Sequence, residues 1–177
     1  MKYQIVVAGF GGQGVVFLVK VLSICASKSG YKFLGTENHG MSQRGGSVSS
    51  HIKIGNFYNP LIDFGQADLL IGLDKDEAAL NLPYLKKEGS VVVNVDKFIE
   101  IDANVFTVDA NKLAEDGVFD AKGLNVFMLG VTLAKVKNFP FSVDEVKEAI
   151  EQINPKFAAQ NFEILDKALE HGKLLNS

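Results

Sequence analysis

Short, continuous apolar runs alternate along this chain with segments in which apolar residues recur every three or four positions. The runs at residues 3–8, 67–73, 90–94 and 105–108 have the length and composition of buried parallel strands. Strands that alternate with helical segments are typical of helices packed on both faces of one sheet. The pattern therefore predicts an α/β fold: a three-layer sandwich with a mostly parallel, Rossmann-like sheet, formed by one domain over residues 1–177.

The segments between these runs predict the remaining elements. Residues 15–29 carry apolar side chains at helical spacing and predict the first helix, and residues 31–36 predict a second short strand beside the first. Residues 37–47 are polar and glycine-rich, which favours a loop. Residues 48–54 alternate apolar with polar side chains and predict a half-exposed strand. From residue 126 onward the apolar spacing is helical.

Composition narrows the class of protein. The chain has 177 residues, of which 47% are apolar and 22% charged, and its net charge is -3. These values are ordinary for a globular protein and favour no nucleic-acid partner. No apolar stretch in the sequence is long enough to span a membrane. The amino-terminal segment lacks the layout of a signal peptide, so we expect a cytoplasmic protein. The single cysteine, Cys25, lies on the apolar face of the first helix, and one cysteine cannot supply the four thiolates that hold an iron–sulfur cluster.

The first candidate site is the loop that follows the first strand, Gly9-Phe10-Gly11-Gly12-Gln13-Gly14. Glycines between a strand and a helix let a ligand approach the backbone, and the N–H groups at the start of the helix favour an anion. The alternative is a tight turn that packs against another protein chain. The spacing of Gly9, Gly11 and Gly14 also satisfies the dinucleotide pattern, in which Glu37 would bind the ribose.

The second candidate site is the segment from His39 to Val48. It brings His39 and Arg44 close in sequence to Gly45 and Gly46. An arginine beside glycines can bind a carboxylate or phosphate through two hydrogen bonds, or it can brace its own loop. His39 lacks an evident titrating partner, so a structural or interface role is favoured over a general base.

Other polar residues receive structural interpretations. Asp74, Asp76 and Glu77 lie at a predicted helix start, where acidic side chains cap the helix, so we do not interpret them as metal ligands. Residues 86–88 are interpreted as the solvated end of a helix. His51 lies on the half-exposed strand and is expected at the surface.

Together, the motifs resemble one known family. They are the first glycine loop, the segment Gly40-Met41-Ser42-Gln43-Arg44-Gly45-Gly46-Ser47-Val48, the pair Ala67-Asp68 before a buried strand, and Asn125-x-x-Met128-Leu129-Gly130. They resemble the gamma subunit, or gamma domain, of the 2-oxoacid:ferredoxin oxidoreductases, which include the pyruvate, 2-oxoglutarate, 2-oxoisovalerate and indolepyruvate enzymes. The second motif is more similar to the indolepyruvate type than to the 2-oxoglutarate type.

The resemblance implies a non-catalytic subunit, inactive alone, of an enzyme that oxidatively decarboxylates a 2-oxoacid to an acyl-CoA. Thiamine diphosphate and iron–sulfur clusters would lie on partner subunits, coenzyme A would be a co-substrate, and ferredoxin would receive electrons through the complex. The chain itself would hold no cofactor and no metal. The residues that would contact a cofactor or a partner subunit are Gly9, Gly11, Gly12, Gln13, Gly14, Glu37, His39, Arg44, Gly45 and Gly46. The competing hypothesis is a self-contained NAD(P)-binding protein.

Overall fold

The computed structural model describes residues 1–40 and 45–175, and these residues form one sheet with helices on both faces. The strands are β1 (Lys2–Phe10), β2 (Phe33–His39), β3 (Ser47–Gly55), β4 (Ala67–Gly72), β5 (Leu85–Asn94) and β6 (Asn104–Val108). The α-helices are α1 (Val15–Lys28), α2 (Lys75–Asn81), α3 (Ala110–Glu115), α4 (Leu124–Lys135), α5 (Val143–Ile153) and α6 (Ala158–Leu174). Short 3-10 helices lie at Leu82–Tyr84, Ala121–Gly123 and Pro155–Phe157.

The strand order in the sheet is β2-β3-β1-β4-β5-β6. Strand β3 pairs antiparallel with both β1 and β2, whereas the pairs β1–β4, β4–β5 and β5–β6 are parallel. Five of the described strands therefore run in one direction and β3 runs in the other. The predicted α/β class and mostly parallel sheet are confirmed. The second strand, however, is separated from the first by β3 rather than lying beside it.

The two faces of the sheet are covered unequally. Helices α1, α4, α5 and α6 pack on one face, where the larger apolar cluster includes the fully buried Leu18, Phe127 and Leu165. The other face is covered by α2 and by loops, and its smaller cluster includes Ala78 and Ile62. Ser142 and Glu145 form the capping box that starts α5, as their spacing suggests.

Three further interpretations, each concerning a strand, were wrong. Strand β3 is almost fully buried rather than half-exposed, because β1 and β2 flank it and side chains cover both of its faces. Residues 86–88 lie in β5 and not at the end of a helix, and Lys86 forms an ion pair with Asp68 of β4. Residues 37–39 continue β2 instead of starting a loop, because they pair with β3. Within the described residues, helices long and apolar enough to cross a bilayer are absent.

Candidate functional site

The first glycine loop joins β1 to α1 at the carboxyl end of the parallel strands, where open α/β sheets place their sites. Its glutamine folds back into the loop. The backbone N–H of Phe10 donates to Oε1 of Gln13 over 2.7 Å, and Nε2 of Gln13 donates to the carbonyl of Leu73 over 3.4 Å. Gly9 leaves room for this arrangement, because a Cβ there would lie 2.8 Å from Oε1 of Gln13. Gln13 therefore fastens the loop to the end of β4.

Gly14 caps α1 and is covered by a residue from late in the chain. Its φ is +91°, in the left-handed region, and a Cβ on it would lie 2.2 Å from Nδ2 of Asn125. That nitrogen donates to the carbonyl of Gly14 over 3.2 Å, and Asn125 is 8% exposed. Two of the motifs that carry the family resemblance are thus in direct contact, and Gly14 is needed for the contact.

The two glycine segments are neighbours in space. The N–H of Gly11 donates to the carbonyl of Gly46 over 2.9 Å, and the N–H of Gly40 donates to the carbonyl of Ser47 over 2.7 Å. This proximity does not arise from a pair of adjacent parallel strands. Strand β3 starts opposite the end of β1, with Ser47 facing Phe10, and so returns the chain to the first loop.

Two of the glycines leave the backbone uncovered. A Cβ on Gly12 or on Gly45 would meet no described atom within 4 Å, and both residues are exposed with positive φ angles of +91° and +67°. At Gly11 a Cβ would make only ordinary contact, 3.4 Å from the nitrogen of Gly45. Among the described residues, the joined loops therefore present open backbone at Gly12 and Gly45, at the carboxyl edge of the sheet.

Glu37 and His39 lie at the end of the edge strand β2. Their side chains are partnered with each other, since Nε2 of His39 lies 3.2 Å from Oε2 of Glu37. Because β3 lies between β2 and β1, Glu37 is two strand spacings, about 10 Å, from the glycine loop strand. In a dinucleotide site the acidic residue ends the neighbouring strand. The geometry disfavours the NAD(P) hypothesis. Arg44 lies outside the described residues.

Glu77 is a site residue that sequence reasoning missed. The cap interpretation is correct for Asp74, whose Oδ1 accepts from the N–H groups of Asp76 and Glu77. Glu77, however, is 5% exposed, and its Oε1 accepts from the Ser47 hydroxyl over 2.8 Å. It ties α2 to the first residue of β3, directly after Gly46. The sequence contains no signal for this contact, because the partner lies thirty positions away.

His51 was wrongly expected at the surface. It is 6% exposed, its Nδ1 accepts from the N–H of Ile62 over 3.1 Å, and its ring lies edge-on to Tyr84 with centroids 4.5 Å apart. The bond to Nδ1 requires the neutral tautomer that carries its hydrogen on Nε2. Burial lowers the pKa of His51, and the charge of Lys53 lowers it further.

Cys25 is buried, as predicted, and burial raises the pKa of its thiol to about 12. A thiol in this state is a packing group and not a nucleophile. Among residues 1–40 and 45–175, there is no group of three or more histidine, cysteine or acidic side chains that could hold a metal ion.

Comparison with known proteins identifies relatives over almost the whole chain. Residues 4–171 match the family model "Pyruvate ferredoxin/flavodoxin oxidoreductase". The chain is 32% identical to the indolepyruvate oxidoreductase subunit IorB of Archaeoglobus fulgidus, with 86% of each chain covered. It is 31% identical to the IorB subunit of Pyrococcus horikoshii, with 97% and 96% covered. The identity to the 2-oxoglutarate synthase subunit KorC of Methanocaldococcus jannaschii is lower, at 27% over 88% and 86% of the two chains.

Solved structures share the fold. The gamma subunit of a keto/oxoacid ferredoxin oxidoreductase from Geobacter sulfurreducens superposes with a TM-score of 0.79 at 22% identity, covering 96% of this chain and 98% of that one. The 2-oxoglutarate:ferredoxin oxidoreductase of Magnetococcus marinus gives a TM-score of 0.82 at 17% identity; 99% of this chain matches 32% of that longer one. This fold therefore occurs both as a separate chain and as part of a longer polypeptide.

Proposed function

Because this chain belongs to the pyruvate ferredoxin/flavodoxin oxidoreductase family, as a gamma subunit of a 2-oxoacid:ferredoxin oxidoreductase, we propose that it is a non-catalytic subunit whose glycine loops dock on the thiamine-binding subunit. The complete enzyme would decarboxylate a 2-oxoacid, with indolepyruvate the first candidate, and form an acyl-CoA. Thiamine diphosphate and the iron–sulfur clusters would be held by the partners, and ferredoxin would accept the electrons. The chain would work in the cytoplasm.

The joined glycine loops are the observation that supports docking. A site for a small ligand usually combines a cavity with a few convergent polar side chains. Among the described residues of the two loops, Gln13 fastens the first loop, Glu37 is paired with His39, and Gly12 and Gly45 are open backbone. Open backbone at Gly12 and Gly45 offers N–H and C=O groups and close approach, which suits a flat contact with another protein surface better than an enclosed ligand.

The test is a substitution that adds bulk to this surface without straining the fold. Asparagine tolerates the left-handed conformation, so Gly45→Asn keeps the backbone at a φ of +67° and adds a side chain where no described atom lies within 4 Å of the Cβ position. Overpacking a fitted contact costs about 1–3 kcal/mol, so affinity for the thiamine-binding subunit should fall about 5- to 150-fold. The measurements are co-purification with that subunit and indolepyruvate-dependent dye reduction.

Gly30→Asn is the matched control. Gly30 also has a positive φ, +75°, and open space around its Cβ position, but it follows α1 at the opposite end of the sheet. It should assemble normally. Equal assembly by both variants would contradict docking through the glycine loops. Heat released on adding NADH or NADPH to the isolated chain would instead favour the nucleotide-binding hypothesis.

A further inference from the structure

A second surface lies at the far edge of the sheet, away from the edge that carries β2. Strand β6 is the last strand in the order, and in the described part of the chain only β5 pairs with it. Half of the N–H and C=O groups of an edge strand point away from the sheet and are free to pair with an added strand. The outer side of β6 is thus open for pairing.

A groove of mixed polar and apolar lining follows this open strand. It has a volume of about 510 Å³ and lies between residues 98–101 and residues 103–107. Ile99 in its wall is 54% exposed, and Val105 and Thr107 of the strand are partly exposed. The five residues of β6 extend about 17 Å, enough to pair with a short extended segment. Alternate side chains of such a segment would enter the groove.

One end of the groove is basic. A cleft of about 730 Å³ shares Asn104 and Phe106 with the groove, and four lysines against two acidic residues line it. The lysines come from β5 and from the end of α4, and they are Lys86, Lys87, Lys135 and Lys137. Lys86 is paired with Asp68, and Lys135 donates to the carbonyl of Leu175. Lys87 and Lys137 are exposed, and the nearest described carboxylate to Lys87 is 3.9 Å away on Asp102.

We propose that β6 and the adjoining lysine cleft bind an extended, acidic-ended segment of a partner polypeptide, which adds a seventh strand to the sheet. Backbone pairing along β6 would give affinity, and the groove would take alternate apolar side chains. The excess of lysines, on a chain whose net charge is -3, would fix the direction of the segment by attracting its acidic end. This proposal rests on the proposed function in one respect: the bound segment would belong to another subunit of the assembly.

The probe is a labelled ten-residue peptide of alternating threonine and valine with four glutamates at one end. Two versions are made, one with the glutamates at the amino end and one with them at the carboxyl end. A matched peptide carries four lysines instead. We expect the full chain to bind at least one glutamate peptide ten times more tightly than the lysine peptide, with affinity that falls as salt rises. Hydrogen exchange should slow at alternate amides of Asn104–Val108 when the peptide is added.

The variant Lys87→Glu/Lys137→Glu should weaken binding at least tenfold, because the acidic end would then meet like charge. The control Lys20→Glu/Lys32→Glu changes two exposed lysines on α1 and near the start of β2, and should alter binding less than twofold. Equal binding of the two peptides, no binding at all, or unchanged exchange in β6 would overturn the proposal. Because the isolated chain is used, failure here is separate from failure to assemble with the thiamine-binding subunit.

Discussion

Replacing Gly14 with alanine tests whether the contact between the two family motifs requires a glycine. A Cβ at this position would lie 2.2 Å from Nδ2 and 2.6 Å from Cγ of Asn125. Asn125 cannot remain where it is, so it must move and give up its hydrogen bond to the Gly14 carbonyl. We expect a folded but clearly less stable protein.

The chain contains a matched reference for the backbone strain. Gly12 has the same φ as Gly14, +91°, but a Cβ on Gly12 would meet no described atom within 4 Å. Both alanine variants carry a backbone cost of about 1–3 kcal/mol. Only Gly14→Ala adds the lost hydrogen bond, about 1 kcal/mol, and the displacement of a packed side chain, about 1–3 kcal/mol. The two free energies of unfolding should therefore differ by about 2–4 kcal/mol.

Urea unfolding gives the measurement. With an m-value of about 2 kcal/mol/M, the midpoint for Gly14→Ala should lie about 1–2 M below that of Gly12→Ala. At about 3 °C per kcal/mol, the corresponding difference in Tm is about 6–12 °C. Removing the side chain of Asn125 in the Gly14→Ala background should cost much less than in the wild type, because its bond is already lost.

Equal urea midpoints for Gly12→Ala and Gly14→Ala would refute this reasoning. They would mean that Asn125 moves aside without cost and that Gly14 serves only the backbone conformation. A full cost for Asn125→Ala in both backgrounds would lead to the same conclusion, since it would show that the two residues are not coupled.

Three further predictions concern His51, Ser47 and Arg44. Burial lowers the pKa of His51 in the folded protein, so below about pH 6.5 the unfolded chain binds more protons than the folded chain. The free energy of unfolding should therefore fall as the pH drops from about 6.5 toward the lowered pKa. In His51→Asn the urea midpoint should depend less steeply on pH over this range. Ser47→Ala leaves the buried Glu77 side chain without its hydroxyl donor, so it should lower the free energy of unfolding by about 1–3 kcal/mol. Urea titrations should show a smaller loss when Ser47→Ala is made in the Glu77→Gln variant, because the two side chains are coupled. The position of Arg44 in the sequence predicts that Arg44→Ala preserves the far-UV spectrum and the Tm but weakens assembly by ~2 kcal/mol or more. Arg44→Lys should restore little of this affinity, because an ammonium cannot form the same pair of hydrogen bonds. Normal co-purification and turnover in Arg44→Ala would show that the arginine only braces its own loop.

Local patterns in the sequence determined much of the fold. Continuous apolar runs identified β1, β4 and the buried half of β5, and helical spacing identified α1 and α4, because burial on one or two sides imposes these periods directly on neighbouring residues. The capping residues Asp74 and Ser142 act within three or four positions of themselves, so their roles were also readable. The glycine motifs likewise located the two segments of the candidate site and indicated the family.

Tertiary structure decided what depends on residues far apart in the chain. The order of the strands depends on which apolar faces pack together. The sequences of β1, β2 and β3 therefore gave no indication that antiparallel β3 lies between the other two strands. Polar residues were the most misjudged: His51 and Glu77 are buried because Ile62 and Ser47 provide their hydrogen bonds. A polar side chain is stable inside a protein only when its partner is brought to it, and the fold, not the local sequence, supplies that partner.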